Sequence, residues 1–216
     1  MPLLDVSSLS VTYPGAVKPV VKDFDLKVRE GEFVGLMGSS GSGKTTIIRS
    51  IFGNLPAGTS VEGTILFSGT PMGAHRWWRD ISLVPQSSMS SLNPSFRIGT
   101  TIEETCKANN VDFSHRRICE LLDVVELAPN VAAQFPHELS GGMRQRVCIA
   151  LALACNPRMV VLDEATTGLD VLVEAHIVAL LDRLRKHLGL SAILVSHDPR
   201  IMSALADSVV SLEESQ

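Results

Sequence analysis

The sequence predicts an α/β domain with a parallel sheet that is covered by helices on both faces. Three observations predict it: short apolar strands alternate with helical segments, a glycine-rich loop joins one strand to a helix, and a long helical stretch interrupts the alternation. The chain has 216 residues, 45% of them hydrophobic, which suits one large domain or a domain with an embedded subdomain.

The first third of the chain has the alternating pattern of β-strands. This pattern covers residues 9–13 and 24–28, and residues 33–37 form a short apolar strand that ends at the glycine-rich loop. A helix is predicted to begin near Lys44 and to stop at Gly53. Residues 63–67 predict a strand that returns to the first sheet.

Residues 88–157 have the helical period instead. Ser114 is the predicted N-cap of one amphipathic helix, and a second helix is predicted to begin at residues 139–143 and to end at Pro157. We expect this stretch to be a helical insertion in the sheet domain.

Strand character returns in the last third of the chain. The predicted strands cover residues 159–162 and 192–195, with a helix over about 171–187 between them and a last strand near 209–210. Strands that alternate with helices in this way predict parallel pairing.

Composition excludes several classes of protein. The net charge is −4 without a basic stripe, so a nucleic-acid partner is not expected. The longest apolar run, residues 147–155, is far short of the roughly twenty residues that a membrane-spanning helix needs. The N-terminus has no basic-then-apolar leader, and we expect a cytosolic location.

The cysteines predict buried, reduced thiols rather than a metal site. They lack a C-x-x-C spacing and neighbouring histidines. The residues are Cys106, Cys119, Cys148 and Cys155.

A phosphate-binding loop is the first motif that carries chemistry. The pattern G-x-x-x-x-G-K-[ST] is matched at every fixed position by Gly38, Ser39, Ser40, Gly41, Ser42, Gly43, Lys44 and Thr45. Glycines let backbone N–H groups converge on phosphate oxygens at a helix N-terminus. Lys44 adds a charge near the β- and γ-phosphates, and the Thr45 hydroxyl can bind Mg²⁺. A glycine-rich turn without a ligand is the alternative interpretation.

Polar residues follow two predicted strands and one further apolar run at their carboxyl ends. Asp163 and Glu164 follow residues 159–162, where Asp163 would hold Mg²⁺ through water and Glu164 would act as general base on the attacking water. A plain acidic turn is the alternative. His197 follows residues 192–195, where a γ-phosphate contact is predicted. Gln86 follows the run of residues 81–85 and could reach the metal or the water.

A second predicted anion site lies at the start of the helix after Leu139. Ser140 is the expected N-cap and Gly141 and Gly142 open the helix, so free N–H groups face the ligand. An ordinary helix start would look the same. One ATP needs two phosphate sites only if they come from different subunits, so a dimer is predicted.

Together these motifs resemble the ATP-binding domain of ABC transporters over about residues 3–212. The resemblance implies a P-loop NTPase fold, with a RecA-like parallel core, an N-terminal antiparallel β subdomain and an inserted helical subdomain. It implies one ABC ATPase domain over residues 1–216. Residues 1–87 and 158–216, approximately, would form the β subdomain and core, and about 88–157 the helical subdomain with the signature motif.

The resemblance also implies the ligands and the roles of the site residues. ATP and Mg²⁺ would be bound, with Glu164, His197 and Gln86 as catalytic residues and with Thr45, Gln86 and Asp163 at the metal. Tyr13 would stack on adenine and Asp170 would be the D-loop aspartate. The nucleotide-binding set is Tyr13, Gly38, Ser39, Ser40, Gly41, Ser42, Gly43, Lys44, Thr45, Thr46, Ser140, Gly141, Gly142, Met143 and Asp170.

Two further stretches, residues 91–96 and 135–146, look like those of peptide and nickel import ATPases. Such systems usually pair two ATPases with two permeases and a solute-binding protein, which implies a peripheral location at the cytoplasmic membrane face. Residues 86–98 would contact the permease. ATP-driven closure of the dimer would move that permease, and the chain would import peptides, nickel or a metal chelate. The alternatives are an exporter or lipoprotein-release ATPase and a soluble ABC ATPase outside transport; the cargo, and homodimer against heterodimer, stay open.

Three details depart from the family pattern or lie outside it. Met143 stands where many relatives have Gln, and Ala165 where they usually have Pro. Trp77 and Trp78 predict either a binding patch or packing at the edge of the sheet.

Overall fold

The computed structural model describes residues 1–72, 77–87 and 91–212, and the chain divides into two compact units. The first unit contains Met1–Trp77 and Ser191–Gln216, and the second contains Trp78–Leu190.

An antiparallel sheet forms the start of the first unit. Its strands are β1 (Leu4–Thr12), β2 (Val21–Val28), β4 (Ser60–Phe67) and β5 (Thr70–Pro71), in the order β2-β1-β4-β5. Buried and exposed residues alternate along most of β2, which is the pattern of a strand with one face on the core.

Three parallel strands complete the first unit: β8 (Ser191–Val195), β3 (Phe33–Gly38) and β9 (Ser208–Leu212), with β3 in the middle. All five residues of β8 are buried, as expected of a parallel strand that is covered on both faces. Helix α1 (Lys44–Ile51) follows β3, and helix α6 (Pro199–Leu205) follows β8.

The second unit combines a parallel strand pair with four α-helices in its described part. Strands β6 (Ile81–Val84) and β7 (Met159–Asp163) pair with Val84 opposite Leu162. The helices are α2 (Ile98–Ala108), α3 (His115–Val124), α4 (Gly141–Leu153) and α5 (Val171–Leu188). Short 3₁₀ turns at Pro129–Ala133 and Pro136–Glu138 precede α4.

The α/β fold class and most of the predicted elements are confirmed. Ser114 caps α3 as predicted, because its side chain accepts a hydrogen bond of 3.2 Å from the Arg117 N–H. The helix that was predicted to reach Pro157 ends at Leu153. Helices α2 and α6, strand β6 and the two-residue strand β5 were not predicted as such. The predicted subdomain boundaries at 88 and 157 stay a prediction.

Three of the four cysteines are buried and all four are free thiols. Cys119 is only half-buried, so the prediction of burial is wrong for that residue. Desolvation raises the pKa of Cys148 to about 12 and the pKa of Cys155 to about 11. These two thiols therefore stay protonated near neutral pH.

Trp77 is half-buried and packs against Phe52, the C-cap residue of α1, so the predicted packing at the edge of the sheet stays a prediction. The Trp77 ring meets the Phe52 ring edge to face, with 5.7 Å between the centroids. No helix among residues 1–72, 77–87 and 91–212 has the length and apolar character to cross a membrane.

Candidate functional site

The predicted phosphate-binding loop connects β3 to α1 in the first unit. Gly41 and Gly43 have φ values of 84° and 99°, in the left-handed region that favours glycine. A Cβ on Gly38 would lie 2.4 Å from Ser42 Oγ, so no side chain fits there without a rearrangement. The loop has the tight, glycine-dependent shape that lets backbone approach a phosphate.

Lys44 is held over this loop by the loop itself. Its ammonium group donates hydrogen bonds to the carbonyl oxygens of Gly38, at 2.6 Å, and Ser39, at 2.7 Å. The side chain is 9% exposed, whereas Thr45 beside it is exposed. A cation is thus placed at the loop.

Tyr13 lies against the first turn of α1. Its hydroxyl group is 3.1 Å from Thr46 Oγ1, and either oxygen can be the donor. This hydrogen bond joins the residue predicted to stack on adenine to the residue that follows Thr45. The structure therefore brings Tyr13 and the phosphate-binding loop together.

His197 follows β8 at the same sheet edge as the loop. Leu36 and Val195 are partners in the parallel pair of β3 and β8, so both strands reach this edge together. The His197 side chain is exposed. Next to it, Asp198 caps α6 and accepts hydrogen bonds from the side chain and backbone of Arg200, which lower the Asp198 pKa.

The second unit brings Gln86 and Glu164 into direct contact. Because Val84 pairs with Leu162, both residues lie two positions beyond a paired strand end. Gln86 Nε2 donates a hydrogen bond of 2.7 Å to Glu164 Oε2. Glu164 also has a φ of 47°, which is uncommon for a residue other than glycine.

Thr167 is a neighbour of Glu164 that the sequence reasoning missed. Its hydroxyl donates a hydrogen bond of 3.2 Å to Glu164 Oε2. The only sign of this contact in the sequence was the position of Thr167, three residues after the candidate base. Asp163, which ends β7, is half-buried.

The signature segment begins α4 as predicted. Ser140 Oγ accepts a hydrogen bond of 3.3 Å from the Met143 N–H, which makes Ser140 the N-cap. A Cβ on Gly142 would lie 2.6 Å from Val173 Cγ1, so the start of α4 packs closely on the first turn of α5. Asp170 caps α5 by accepting a hydrogen bond of 3.0 Å from the Val173 N–H.

The predicted site residues therefore fall into two groups. The phosphate-binding loop, Tyr13 and His197 belong to the first unit. The second unit holds Gln86, the two carboxylates that follow β7, the signature segment and Asp170.

The chain is similar to proteins of a known family. Residues 21–167 match the family model described as ABC transporter. The chain is 36% identical over 223 residues to the oligopeptide transport ATP-binding protein OppD of Haemophilus influenzae, covering 97% of this chain and 69% of that protein. It is 37% identical over 218 residues to the dipeptide transport ATP-binding protein DppD of Caldanaerobacter subterraneus, covering 95% and 67%. The chain thus spans about two thirds of the length of these two relatives.

A solved structure agrees over nearly the whole chain. The dimeric ATP-binding cassette MJ0796, in a post-hydrolysis state with ADP and phosphate, superimposes with a TM-score of 0.82 at 26% identity, covering 98% of this chain and 94% of that one. The motifs, the fold and both relatives lead to one conclusion: the chain belongs to the ABC transporter family, whose ATP-binding proteins are ATPases coupled to transport.

Proposed function

We propose that this chain powers the import of peptides by hydrolysing ATP at the face of a membrane permease. The contact of Glu164 with Gln86, at 2.7 Å, carries the catalytic part of the proposal, since it shows a carboxylate held in place where a strand ends. The cargo follows from the relatives above, which are named for oligopeptide and dipeptide transport. Those names favour peptides over nickel.

Each residue group has a proposed task in the reaction. The loop N–H groups and Lys44 bind the phosphates, and Tyr13 stacks on adenine. Glu164 takes a proton from the attacking water as general base, and His197 contacts the γ-phosphate.

The hydroxyl of Thr45, the amide of Gln86 and the carboxylate of Asp163 suit Mg²⁺, a cation that prefers oxygen ligands. When bound, Mg²⁺ neutralises charge that develops on the phosphates. Thr45 is exposed at the start of α1, so its hydroxyl is accessible to a ligand.

A second copy or a related ATPase completes the proposed site. Ser140, Gly141, Gly142, Met143 and Asp170 of one subunit would serve the ATP that Lys44 of the other subunit holds. The dimeric MJ0796 cassette supports this arrangement.

Closure of the dimer would move a permease through residues 86–98, of which 88–90 lie outside the described residues. The chain would then be peripheral at the cytoplasmic face, and a solute-binding protein would deliver the peptide to the permease.

Replacement of Glu164 tests the ATPase mechanism. General base catalysis contributes about 10²–10⁴-fold, so Glu164→Gln should lower phosphate release by at least about a hundredfold while ATP still binds. In excess Mg-ATP this variant should run as a dimer in size-exclusion chromatography. Glu120→Gln, an exposed glutamate on α3, is the matched control and should keep the wild-type rate. A monomeric Glu164→Gln variant, or one that hydrolyses ATP normally, contradicts the proposal.

The cargo needs a separate experiment. The chain is co-purified with its permease, reconstituted in vesicles with the solute-binding protein, and assayed for ATP hydrolysis with short peptides or with Ni²⁺. Peptides should stimulate hydrolysis and Ni²⁺ should not. Stimulation by Ni²⁺ alone would refute peptide import and leave the ATPase mechanism intact.

A further inference from the structure

We propose that Thr167 is a positioning residue for ATP hydrolysis, which orients the Glu164 carboxylate through its own hydroxyl group. The inference rests on the proposed role of Glu164 as general base. No motif assignment above gives Thr167 a task, and the structure shows two separate links between these residues.

The first link is in the backbone. The Thr167 N–H donates a hydrogen bond of 3.0 Å to the Glu164 carbonyl oxygen and closes a turn over residues 164–167. Glu164 begins this turn with its left-handed φ of 47°. The Thr167 Cα is therefore held at a fixed place relative to the backbone of the candidate base.

The second link is between the side chains. Thr167 Oγ1 donates to Glu164 Oε2 at 3.2 Å, and Gln86 Nε2 donates to the same oxygen at 2.7 Å. One donor comes from the turn and the other from the end of β6. Two donors from different elements restrict the rotamers of a glutamate that has several rotatable bonds, and such ordering lowers the entropic cost of reaching a reactive geometry.

Thr167 is better suited than Gln86 to keep this contact during the reaction. Thr167 and Glu164 belong to one turn, so they move together. Gln86 lies on another strand end, and the proposed function requires its amide at the metal and its segment at the permease. The threonine hydroxyl is then the donor that stays with the base.

The test compares threonine, serine and valine at position 167. Thr167→Val keeps the shape but removes the hydroxyl, and kcat should fall about tenfold, or about 1.4 kcal/mol. Thr167→Ser keeps the donor and should stay within about twofold of wild type, because the lost methyl makes no hydrogen bond. The Kd for a fluorescent ATP analogue should be the same in all three proteins, which separates positioning from binding.

Thr70→Val is the matched control. Thr70 is also an exposed threonine that closes a turn, as the first residue of β5, and its hydroxyl donates a hydrogen bond of 3.0 Å to the carbonyl oxygen of Phe67, three residues earlier. It lies in the antiparallel sheet, so its loss should leave kcat unchanged. Urea unfolding checks that each variant is folded, and Thr167→Ala gives a second measurement without the hydroxyl if Thr167→Val unfolds.

A double variant separates this inference from the proposed function. In the Glu164→Gln background, Thr167→Val should change the residual rate no further, since residues that act through one group are not additive. Normal kcat in Thr167→Val, or equal loss in Thr167→Ser, overturns the role of Thr167. If Glu164→Gln alone keeps the wild-type rate, the proposed function fails instead.

Discussion

At the scale of single residues, a hydrogen bond of the Tyr13 hydroxyl group holds the side chain in position, and the ring would stack on adenine. The bond of 3.1 Å to Thr46 fixes the ring next to the start of α1. Tyr13→Phe loses one hydrogen bond, worth about 1 kcal/mol, and should weaken ATP binding no more than about fivefold. Tyr13→Ala also loses the stacking surface and should weaken binding by a further tenfold or so. Titration with a fluorescent ATP analogue measures both, and equal Kd values for the two variants would exclude a stacking role.

The sequence predicted the site residues that follow apolar segments. It did not predict the site residue that lies in a turn. Gln86 and Glu164 were assigned to one site from their positions after apolar segments, and strand register does bring them into contact. The contact from Thr167 is made within a turn that Glu164 begins in the left-handed conformation. A conformation of that kind is uncommon for glutamate, so composition and periodicity do not predict it.

At the scale of helices, the two glycines that open α4 have different tasks. A Cβ at Gly142 would lie 2.6 Å from Val173 Cγ1, and a helical valine has little freedom to rotate away. A Cβ at Gly141 would meet only Leu169 Cδ2, at 3.8 Å. Gly142→Ala should therefore lower the free energy of unfolding by about 1–2 kcal/mol, whereas Gly141→Ala should leave it unchanged or raise it. Urea denaturation measures the difference, and equal midpoints would mean that α4 and α5 are less closely packed than the distances indicate.

The presence or absence of a capping residue explains most of the difference between the helices that were predicted and those that were not. Side-chain caps mark the starts of α3 and α4, and both starts were predicted from Ser114 and Ser140. Helix α2 begins after Arg97, which makes no capping bond with its side chain, so its start had no local marker. Helix α6 had one, because Asp198 caps it and Pro199 occupies its first turn; this Asp-Pro pair was overlooked.

At the scale of the whole molecule, local sequence patterns predicted the order of elements, whereas the division of the chain was implied only by the family resemblance. Alternation of strands and helices predicted parallel pairing, which β3 shows with β8 and β9. The first unit joins residues from both ends of the chain, Met1–Trp77 with Ser191–Gln216. The family resemblance implied that residues of about 1–87 and 158–216 belong together, and the exact boundaries stay a prediction. Contacts between residues so far apart in sequence leave no periodic pattern, so local reasoning has little to detect.

Ligand binding to the folded chain should raise its stability by mass action. A ligand that binds only the folded state at a hundred times its Kd adds about 2.7 kcal/mol to the free energy of unfolding. For a chain of this size that corresponds to a rise in Tm of about 5–10 °C. Mg-ATP should produce this rise in Glu164→Gln, which is expected to bind ATP without consuming it, and differential scanning fluorimetry measures it.

Stabilisation by Mg-ATP can also be measured through the alkylation of a buried cysteine, with a loop variant as the control. Burial raises the pKa of Cys148 to about 12, so its thiol is protonated and unreactive at pH 8 until the second unit opens. Mg-ATP should therefore slow alkylation of Cys148 in the same variant. Adding Lys44→Ala removes the cation that the loop carbonyl oxygens hold at 2.6 and 2.7 Å, and should abolish both the rise in Tm and the protection. Protection that survives Lys44→Ala would place the stabilising nucleotide somewhere other than the glycine-rich loop.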